Sequence, residues 1–289
     1  MEVIVNMACG LANRMFQYSY YLYLKKNGWQ VAVDFYKKSK LPHENVEWER
    51  IFPKATFKQA STWRVLMKGG GAFMSSRIRR RYFPWSTQVL EMPTAFDVSF
   101  PSTSGQYIMG VFQNAGMVEA VKEEVLNAFA FEPFTSGKNF HLMNEMLQDE
   151  QSVGIHVRKG KDYSQRELYQ HTCEVEYYRN AVSLMKEKLT SPTFYVFTDN
   201  PEWVKEHFSF FCYKLVDINP SIGWGSHFDM QLMSYCHHNI ISNSTYSWWS
   251  AFLNKNRNKT VICPQVWFNP QSCQEWSSEP ICCQDWIAV

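Results

Sequence analysis

The fold is decided by residues 154–163, which read GIHVRKGKDY. An apolar run ends there in three cations, a glycine and an aspartate, so a strand over residues 153–157 leads directly into a polar loop. Further strands are predicted at 193–198, 213–216, 239–242 and 260–263, with helices at 175–189, 227–238 and 246–253. Strands that are apolar throughout and alternate with helices indicate an α/β fold with a parallel sheet covered on both faces.

The first half of the chain repeats this pattern more loosely. Residues 2–7 and 30–35 favour strands, and residues 14–26 between them favour a helix that ends before Gly28. We therefore predict two Rossmann-like lobes with a cleft between them, an N-terminal lobe over residues 1–140 and a C-terminal lobe over residues 141–289.

Composition excludes several classes of protein. Of the 289 residues 45% are hydrophobic, and the formal net charge is only +2, which gives no reason to expect a nucleic-acid partner. The sequence shows neither a signal peptide nor a run long enough to span a bilayer, so a cytoplasmic protein is expected. One local exception is a basic run formed by Arg77, Arg79, Arg80 and Arg81. It is interpreted either as a solvated face or as peripheral contact with the anionic inner face of a membrane.

The eight cysteines are scattered and form no C-x-x-C pair, which argues against a zinc knuckle. Mostly buried, unpaired thiols in a reducing compartment are the expectation.

Arg158 is the first candidate functional residue. Ligands of open α/β sheets bind at the carboxyl ends of strands, where Arg158 is placed. Its guanidinium can hold two phosphate oxygens at once. The alternative is a surface loop whose charges are solvated.

A second candidate site lies in residues 239–249, which read NIISNSTYSWW. Asn243 or Ser244 is a suitable helix N-cap, and the backbone N–H groups that follow attract anions. A pyrophosphate suits this position, although an ordinary N-cap explains the same residues.

Two carboxylates complete the set. Asp199 ends the strand at 193–198, and Asp229 lies early in a helix, where it could accept the paired N–H groups of a guanine base. The sequence has no Asp-x-Asp triplet, no G-x-G-x-x-G and no P-loop. A leaving diphosphate would then be stabilised by cations and a helix N-terminus, without a metal or another cofactor.

Four stretches give the sequence a resemblance to the bacterial type of α-1,2-fucosyltransferase in glycosyltransferase family 11. Residues 9–18, CGLANRMFQY, are similar to the family's G-L-G-N-Q-M-F-Q-Y, and residues 154–163 to its H-x-R-R-G-D-Y. Residues 197–203 are similar to F-S-D-x-x-x-W, and residues 229–249 to D-x-x-L-M-S followed by N-S-T-F-S-W-W. The order and spacing of these stretches hold across nearly the whole chain.

The resemblance implies a GT-B-type fold, GDP-β-L-fucose as the donor and inversion to an α linkage without a metal. It implies that His156 and Asp229 bind the guanine and ribose, and that Arg158 binds the diphosphate. The remaining donor-binding residues implied are Asp199, Asn243, Ser244, Thr245, Tyr246 and Ser247. The N-terminal lobe would be the acceptor side, and Asn13, Gln17, Glu167 and His171 would lie near the acceptor or the fucose.

The chain departs from the family pattern at two places. Lys161 lies between Gly160 and Asp162, and Ala12 and Arg14 replace a glycine and a glutamine. The first departure bears on the general base, for which Asp162 is the leading candidate and Glu167 and His171 are the alternatives.

The expected function is therefore that of a galactoside 2-α-L-fucosyltransferase acting on a β-galactoside hydroxyl of an oligosaccharide or polysaccharide intermediate. A fucosyltransferase of another linkage is the first alternative. A non-catalytic sugar-binding module is the second, supported only by an aromatic content of 16%.

Overall fold

The computed structural model describes residues 2–35, 46–69, 89–272 and 281–289. The chain divides into two units, Met1–Ala130 and Phe131–Val289. Each unit is built on its own parallel sheet, which confirms the α/β prediction.

The division falls at residue 130 rather than at the predicted residue 140. Helix α6, Gly137–Gln148, accounts for the difference, because its buried Met143 and Met146 pack against Tyr195 and Phe197 of the second unit. Tertiary packing, and no local pattern in the sequence, decides which sheet α6 covers.

The first unit has four parallel strands in the order β2-β1-β4-β3. The strands are β1 Glu2–Met7, β2 Gln30–Phe35, β3 Val89–Glu91 and β4 Tyr107–Met109. Its helices are α1 Leu11–Lys26, α2 Trp48–Ile51, α3 Thr62–Gly69, α4 Ala115–Ala120 and α5 Lys122–Ala128. Helices α4 and α5 are separated at Val121, whose φ of −122° and ψ of 27° are not helical.

The second unit has six parallel strands in the order β10-β9-β8-β5-β6-β7. They are β5 Ser152–Val157, β6 Thr193–Thr198, β7 Lys214–Val216, β8 His238–Ile240, β9 Val261–Cys263 and β10 Ile287–Ala288. Besides α6, the helices are α7 Lys161–Gln165, α8 Val175–Lys188, α9 Pro201–His207, α10 Phe228–Tyr235 and α11 Thr245–Leu253, with a short 3₁₀ turn at Glu167–Tyr169.

Helices cover both faces of this second sheet. Successive side chains of a strand point to opposite faces. Phe194 and Val196 pack with α8 and α9, whereas Tyr195 and Phe197 pack with α6 and α10. Helix α11 packs on α10 and so belongs to the second of these faces. The buried residues along β5 and β6 explain why these strands are apolar throughout.

Two cysteines correct the prediction of unpaired thiols. Cys263, at the end of β9, forms a disulfide with Cys282. The last residues of the chain return to pair β10 beside β9, and this long-range contact brings the two sulfurs together. Cys173 and Cys236 are buried thiols, as predicted.

The basic run Arg77, Arg79, Arg80 and Arg81 lies outside the described residues. Among the helices that are described, none combines the length and apolar character needed to cross a bilayer.

Candidate active site

The candidate site lies where the strand order of the second sheet reverses. After β5 the chain adds β6 and β7 on one side, and then returns to place β8 on the other side of β5. The loop after β5 leads to α8 on one face, and the loop after β8 leads to α11 on the opposite face. Two adjacent loops that diverge in this way leave a crevice at the carboxyl ends of the strands, where ligands of open α/β sheets bind.

His156 joins the two strand ends. Its Nδ1 lies 2.8 Å from the Ser242 hydroxyl and shares a hydrogen bond with it. Burial, with a smaller effect of the Arg158 charge, lowers the pKa of His156 to about 3. The imidazole is therefore neutral at physiological pH and can hydrogen-bond a ligand without carrying charge.

Arg158 contacts a backbone carbonyl and an aromatic ring. One guanidinium nitrogen, Nη1, donates to the Asn243 carbonyl oxygen at 3.0 Å. The guanidinium carbon lies 4.0 Å from the centre of the Tyr169 ring, a cation–π distance. The predicted phosphate-binding arginine is thus adjacent to the predicted phosphate-binding turn. Sequence reasoning missed Tyr169, because nothing local marks the partner of a stacked arginine.

Helix α11 starts directly beside Arg158. Ser244 is the N-cap, as predicted, but its side chain makes no capping hydrogen bond. The Ser247 hydroxyl donates to the Ser244 carbonyl oxygen at 3.1 Å. As in any α-helix, the first-turn N–H groups of Thr245, Tyr246 and Ser247 have no acceptor within the helix and attract an anion.

Asn243 anchors this turn to neighbouring segments of the second unit. Its side-chain amide donates to the Trp267 carbonyl oxygen at 3.2 Å, and its backbone N–H donates to the Cys173 sulfur at 3.3 Å. Its side chain is buried. Donor contact by Asn243 stays a prediction, and the side chain's observed partners give it a role in shaping the turn.

Asp199 lies beneath the loop that follows β5. Its Oδ1 accepts hydrogen bonds from the backbone N–H groups of Lys159 and Gly160, both at 2.8 Å. A Cβ added to Gly160 would lie 2.5 Å from the Asp199 carboxylate, so the close approach requires glycine here. Asp199 thus positions the loop that carries Arg158, and its contact with a donor stays a prediction.

Lys159, one of the three cations that the sequence places in the polar loop after β5, is buried. Its ammonium is buried and pairs with Glu174 at 2.9 Å, over the Tyr163 ring at 4.1 Å. Burial lowers the pKa of Lys159. This cation secures the start of α8, whereas Arg158 lies beside the start of α11.

Asp229 lies in the first turn of α10. Its Oδ1 accepts a hydrogen bond of 2.7 Å from the side-chain amide of Asn219, and that amide also pairs with Asn139. Burial, opposed by the Asn219 hydrogen bond, raises the pKa of Asp229 to about 6. A half-buried carboxyl of this kind suits a ligand that offers hydrogen-bond donors. Asn219 was not found from the sequence, because it lies in a loop without a motif.

Tyr246 connects α10 with α11. Its hydroxyl donates to the Ser226 carbonyl oxygen at 2.7 Å and accepts from the Met230 backbone N–H at 2.7 Å. The ring centre lies 5.8 Å from that of His156. Tyr246 was predicted as a donor-binding residue, and the structure places it between His156 and the start of α10.

The candidate bases lie in the segment between β5 and α8. The backbone of Asp162 lies in α7, and its side chain is outside what the structure describes. Glu167 begins the 3₁₀ turn that contains Tyr169. His171 is exposed and has a left-handed backbone, with φ of 60°. The choice among the three stays open.

Asn13 and Gln17 lie in α1 of the first unit. The Gln17 side chain is buried, accepts from the Ala8 backbone N–H at 3.0 Å and donates to the Gly110 carbonyl oxygen at 2.9 Å. The Asn13 side-chain oxygen accepts from Gln113 at 3.2 Å. Contact of these two residues with the acceptor or the fucose stays a prediction.

Among the residues that the structure describes, no group of three or more His, Cys, Asp or Glu side chains is arranged to hold a metal ion. Metal independence stays a prediction.

Comparison with known proteins gives two relatives from Escherichia coli. An α-1,2-colitosyltransferase is 27% identical over 183 residues, which span 63% of this chain and 61% of that protein. The O-antigen biosynthesis glycosyltransferase WbnK is 24% identical over 284 residues, covering 90% of this chain and 92% of that protein.

Solved structures show the fold. The fucosyltransferase NodZ from Bradyrhizobium superposes with a TM-score of 0.51 at 14% sequence identity, over 86% of this chain and 91% of that one. A NodZ crystal soaked with GDP-fucose gives a TM-score of 0.50, over 87% and 92% of the two chains. The likeness confirms the GT-B-type fold.

The family model described as glycosyl transferase family 11 matches residues 3–289. The match covers both units and each of the four stretches that carried the resemblance. The chain belongs to glycosyl transferase family 11, and it is a glycosyltransferase.

Proposed function

We propose that this glycosyltransferase moves L-fucose from GDP-β-L-fucose to the 2-hydroxyl of a β-galactoside, with inversion and without a metal. Family membership supports a glycosyl transfer, and the likeness to NodZ, a fucosyltransferase whose crystals were soaked with GDP-fucose, supports a donor of this class. On this proposal the second unit binds the donor, and the first unit is the acceptor side.

The observation that carries the proposal is the contact between Arg158 and the turn before α11. Nη1 of Arg158 is 3.0 Å from the Asn243 carbonyl oxygen, so the guanidinium and the helix N-terminus lie side by side. Together they form a site with positive charge and backbone N–H groups for a diphosphate. When the fucosyl bond breaks, negative charge grows on the β-phosphate, and preorganised donors stabilise it more strongly than in the ground state.

The guanine end of the donor is assigned to Asp229 and His156. The two oxygens of an ionised carboxylate can accept the paired N–H groups of guanine. Asn219 fixes the carboxylate through a 2.7 Å hydrogen bond. The neutral imidazole of His156, anchored on Ser242, offers a further polar contact without repelling the Arg158 charge.

In the transfer step, the acceptor hydroxyl oxygen forms a bond to the anomeric carbon as the bond to the GDP oxygen breaks, with a transition state resembling an oxocarbenium ion. A base takes the hydroxyl proton. Asp162 is proposed for this role, with Glu167 and His171 as alternatives, since all three lie in the segment between β5 and α8.

A second candidate is transfer of colitose rather than fucose. It is favoured by the 27% identity to an α-1,2-colitosyltransferase over 183 residues. Colitose is a deoxy form of L-fucose, so the two donors differ by one hydroxyl and would use the same diphosphate site.

The test incubates the purified chain with either GDP-fucose or GDP-colitose and a panel of β-galactosides, with the linkage of each product determined by NMR. Wild-type protein in excess EDTA is assayed in parallel, and Arg158→Ala controls for uncatalysed transfer. We expect an α-1,2-fucosylated product and an unchanged rate in EDTA. A product from GDP-colitose alone would establish the second candidate, and a rate that disappears in EDTA and returns with Mn²⁺ would contradict the metal-free proposal.

A further inference from the structure

Helix α3, Thr62–Gly69, is fixed on the first unit by one of its faces. Val65 packs against a core cluster that contains Tyr107. A Cβ added at Gly69 would lie 3.0 Å from the Tyr107 ring, which shows how closely the helix backbone approaches this ring. Arg64 forms an ion pair with Glu2 of β1. The helix is therefore held against rotation, and its opposite face is presented to the outside.

That outer face is apolar. Trp63 is 69% exposed, Leu66 41% and Met67 45%. Residues three and four apart lie on the same side of a helix, so these three side chains form one stripe. Single exposed apolar residues are common on soluble proteins, whereas a contiguous stripe that includes a tryptophan indicates an interaction surface.

The charge of the surrounding sequence indicates the partner. Residues 51–69, which the structure describes, contain no Asp or Glu. Their cations are Lys54, Lys58, Arg64 and Lys68. The rest of the chain has 25 Lys and Arg against 27 Asp and Glu, so this 19-residue stretch is positive in a chain whose remainder is slightly negative. Within it, Lys58 and Arg64 share the single carboxylate of Glu2, which leaves the start of β1 and α3 net positive.

We propose that the outer face of α3, formed by Trp63, Leu66 and Met67, docks on an anionic lipid surface. The apolar stripe enters the boundary between headgroups and acyl chains, and the cations of residues 51–69 attract lipid phosphates. Tryptophan is enriched in this boundary, because its ring is apolar and its N–H is polar. An eight-residue helix lies on such a surface and does not cross it. The docking is independent of the sugar that the enzyme transfers.

The test uses the purified full chain in vesicle flotation, with either phosphatidylcholine vesicles or vesicles that also contain phosphatidylglycerol. We expect binding only to the second kind, and we expect it to weaken as salt is raised. The variant Trp63→Ser/Met67→Ser removes two side chains of the stripe and should lower the bound fraction by about tenfold. Leu147→Ser is the matched control, since Leu147 is 47% exposed on α6 of the other unit.

The variants affect exposed side chains, so their melting temperatures should equal that of the wild type. Loss of vesicle binding in the double variant, with retention in Leu147→Ser, supports the proposal. Absence of wild-type binding to anionic vesicles overturns it, as does equal binding by the double variant. A wild-type dimer in sedimentation velocity that becomes monomeric in the double variant, without vesicle binding, would assign the stripe to a second copy of the chain and also overturn the proposal. Transferase activity on a soluble acceptor should be the same in all variants, which separates this test from that of the proposed function.

Discussion

The strand ends of β5 and β8 in the second unit and those of β1 and β4 in the first unit offer a direct comparison. Both pairs are adjacent parallel strands near the middle of a sheet. In the first unit the helices that follow, α1 and α4, pack against each other, and Gln17 ties the two loops together by accepting from Ala8 and donating to Gly110. In the second unit the helices diverge to opposite faces, and Arg158 is stacked and half-buried at the opening.

An arginine lies beside each pair of strand ends. The arginine of the first unit is enclosed and that of the second unit is accessible, as are the strand ends themselves. Arg14 is fully buried; its Nε donates to the Cys9 carbonyl oxygen at 2.7 Å, and its guanidinium lies 4.6 Å from the Phe35 ring centre. Arg158 also has a carbonyl and a ring as partners, yet remains partly exposed beside a helix N-terminus. A shared topology therefore does not identify the site. The exposure of the charged group, and what lies beside it, does.

The largest expected effect separates these two arginines. Arg158→Lys should lower kcat by roughly 10²–10³, because an ammonium cannot make the bidentate phosphate contact. Its melting temperature should stay close to that of the wild type. Arg14→Lys should do the reverse, with a loss of about 2–3 kcal/mol in the free energy of unfolding and a near-normal kcat. Steady-state kinetics and thermal unfolding on both variants give the comparison.

If Arg158→Lys unfolds early and retains its turnover, Arg158 is a structural residue and the contrast between the units fails. Arg158→Ala serves as the second variant, since it removes the charge as well as the geometry.

Asp229 gives the next effect in size. Asp229→Asn keeps the shape but replaces an acceptor with a donor facing the guanine N–H groups, so the Kd for GDP should rise by about tenfold to a hundredfold. The free energy of unfolding of the variant should rise even though its affinity for GDP falls. The raised pKa of Asp229 means that the folded state favours the neutral acid, so the ionised carboxylate destabilises the fold at neutral pH. Calorimetry and thermal unfolding at pH 7.5 check the two halves of this prediction. An unchanged Kd would place the base-recognising carboxylate elsewhere.

Gln17→Ala tests the closed strand ends of the first unit. The substitution leaves the Ala8 N–H and the Gly110 carbonyl without their side-chain partner, which should lower the free energy of unfolding by about 1–3 kcal/mol. The Kd for GDP should not change, because the second unit is proposed to bind the donor. Chemical denaturation and GDP titration measure these quantities. A stable variant that loses transfer to the acceptor would instead give Gln17 the acceptor role predicted from the sequence.

The smallest effect is the dependence of GDP binding on pH. Since the pKa of Asp229 is about 6, about nine tenths of the carboxyl is ionised at pH 7 and about one tenth at pH 5. Affinity that requires the ionised form should therefore fall by about tenfold between these values. The Asp229→Asn variant is the control, because the terminal phosphate of GDP also titrates at about pH 6. The ratio of wild-type to variant affinity cancels that contribution and should fall by about tenfold from pH 7 to pH 5. His156 adds none in this range, because its lowered pKa keeps it neutral throughout.

Much of the second unit could be predicted from its sequence. Strands β5 and β6 are buried on both faces, so their uninterrupted apolar runs marked them clearly. The turn at Asn243 and Ser244 was recognised because N-cap chemistry is local. Strand β10 was missed because two residues are too short for a pattern, and β3 was missed because the sequence around it, between Pro84 and Pro93, is irregular.

The partners of the site residues could not be predicted. Tyr169 under Arg158, Asn219 beside Asp229 and Glu174 on Lys159 are all contacts made through tertiary structure. The sequence indicated which residue types were present at the strand ends. It did not show that Lys159 turns inward while Arg158 remains beside α11, because both residues follow the last residue of β5 and the path of the loop decides where each side chain points.

The Tyr246 hydroxyl has a consequence for ligand length. It is bonded to both the Ser226 carbonyl and the Met230 N–H, so the start of α10 is joined to the start of α11 through one rigid ring. On the proposed assignment, this connection fixes the distance between the carboxylate that recognises the base and the helix N-terminus that binds the phosphates. The second unit therefore selects its ligand by length. A nucleotide with one phosphate fewer or more could engage either the carboxylate or the helix N-terminus, but not both at once.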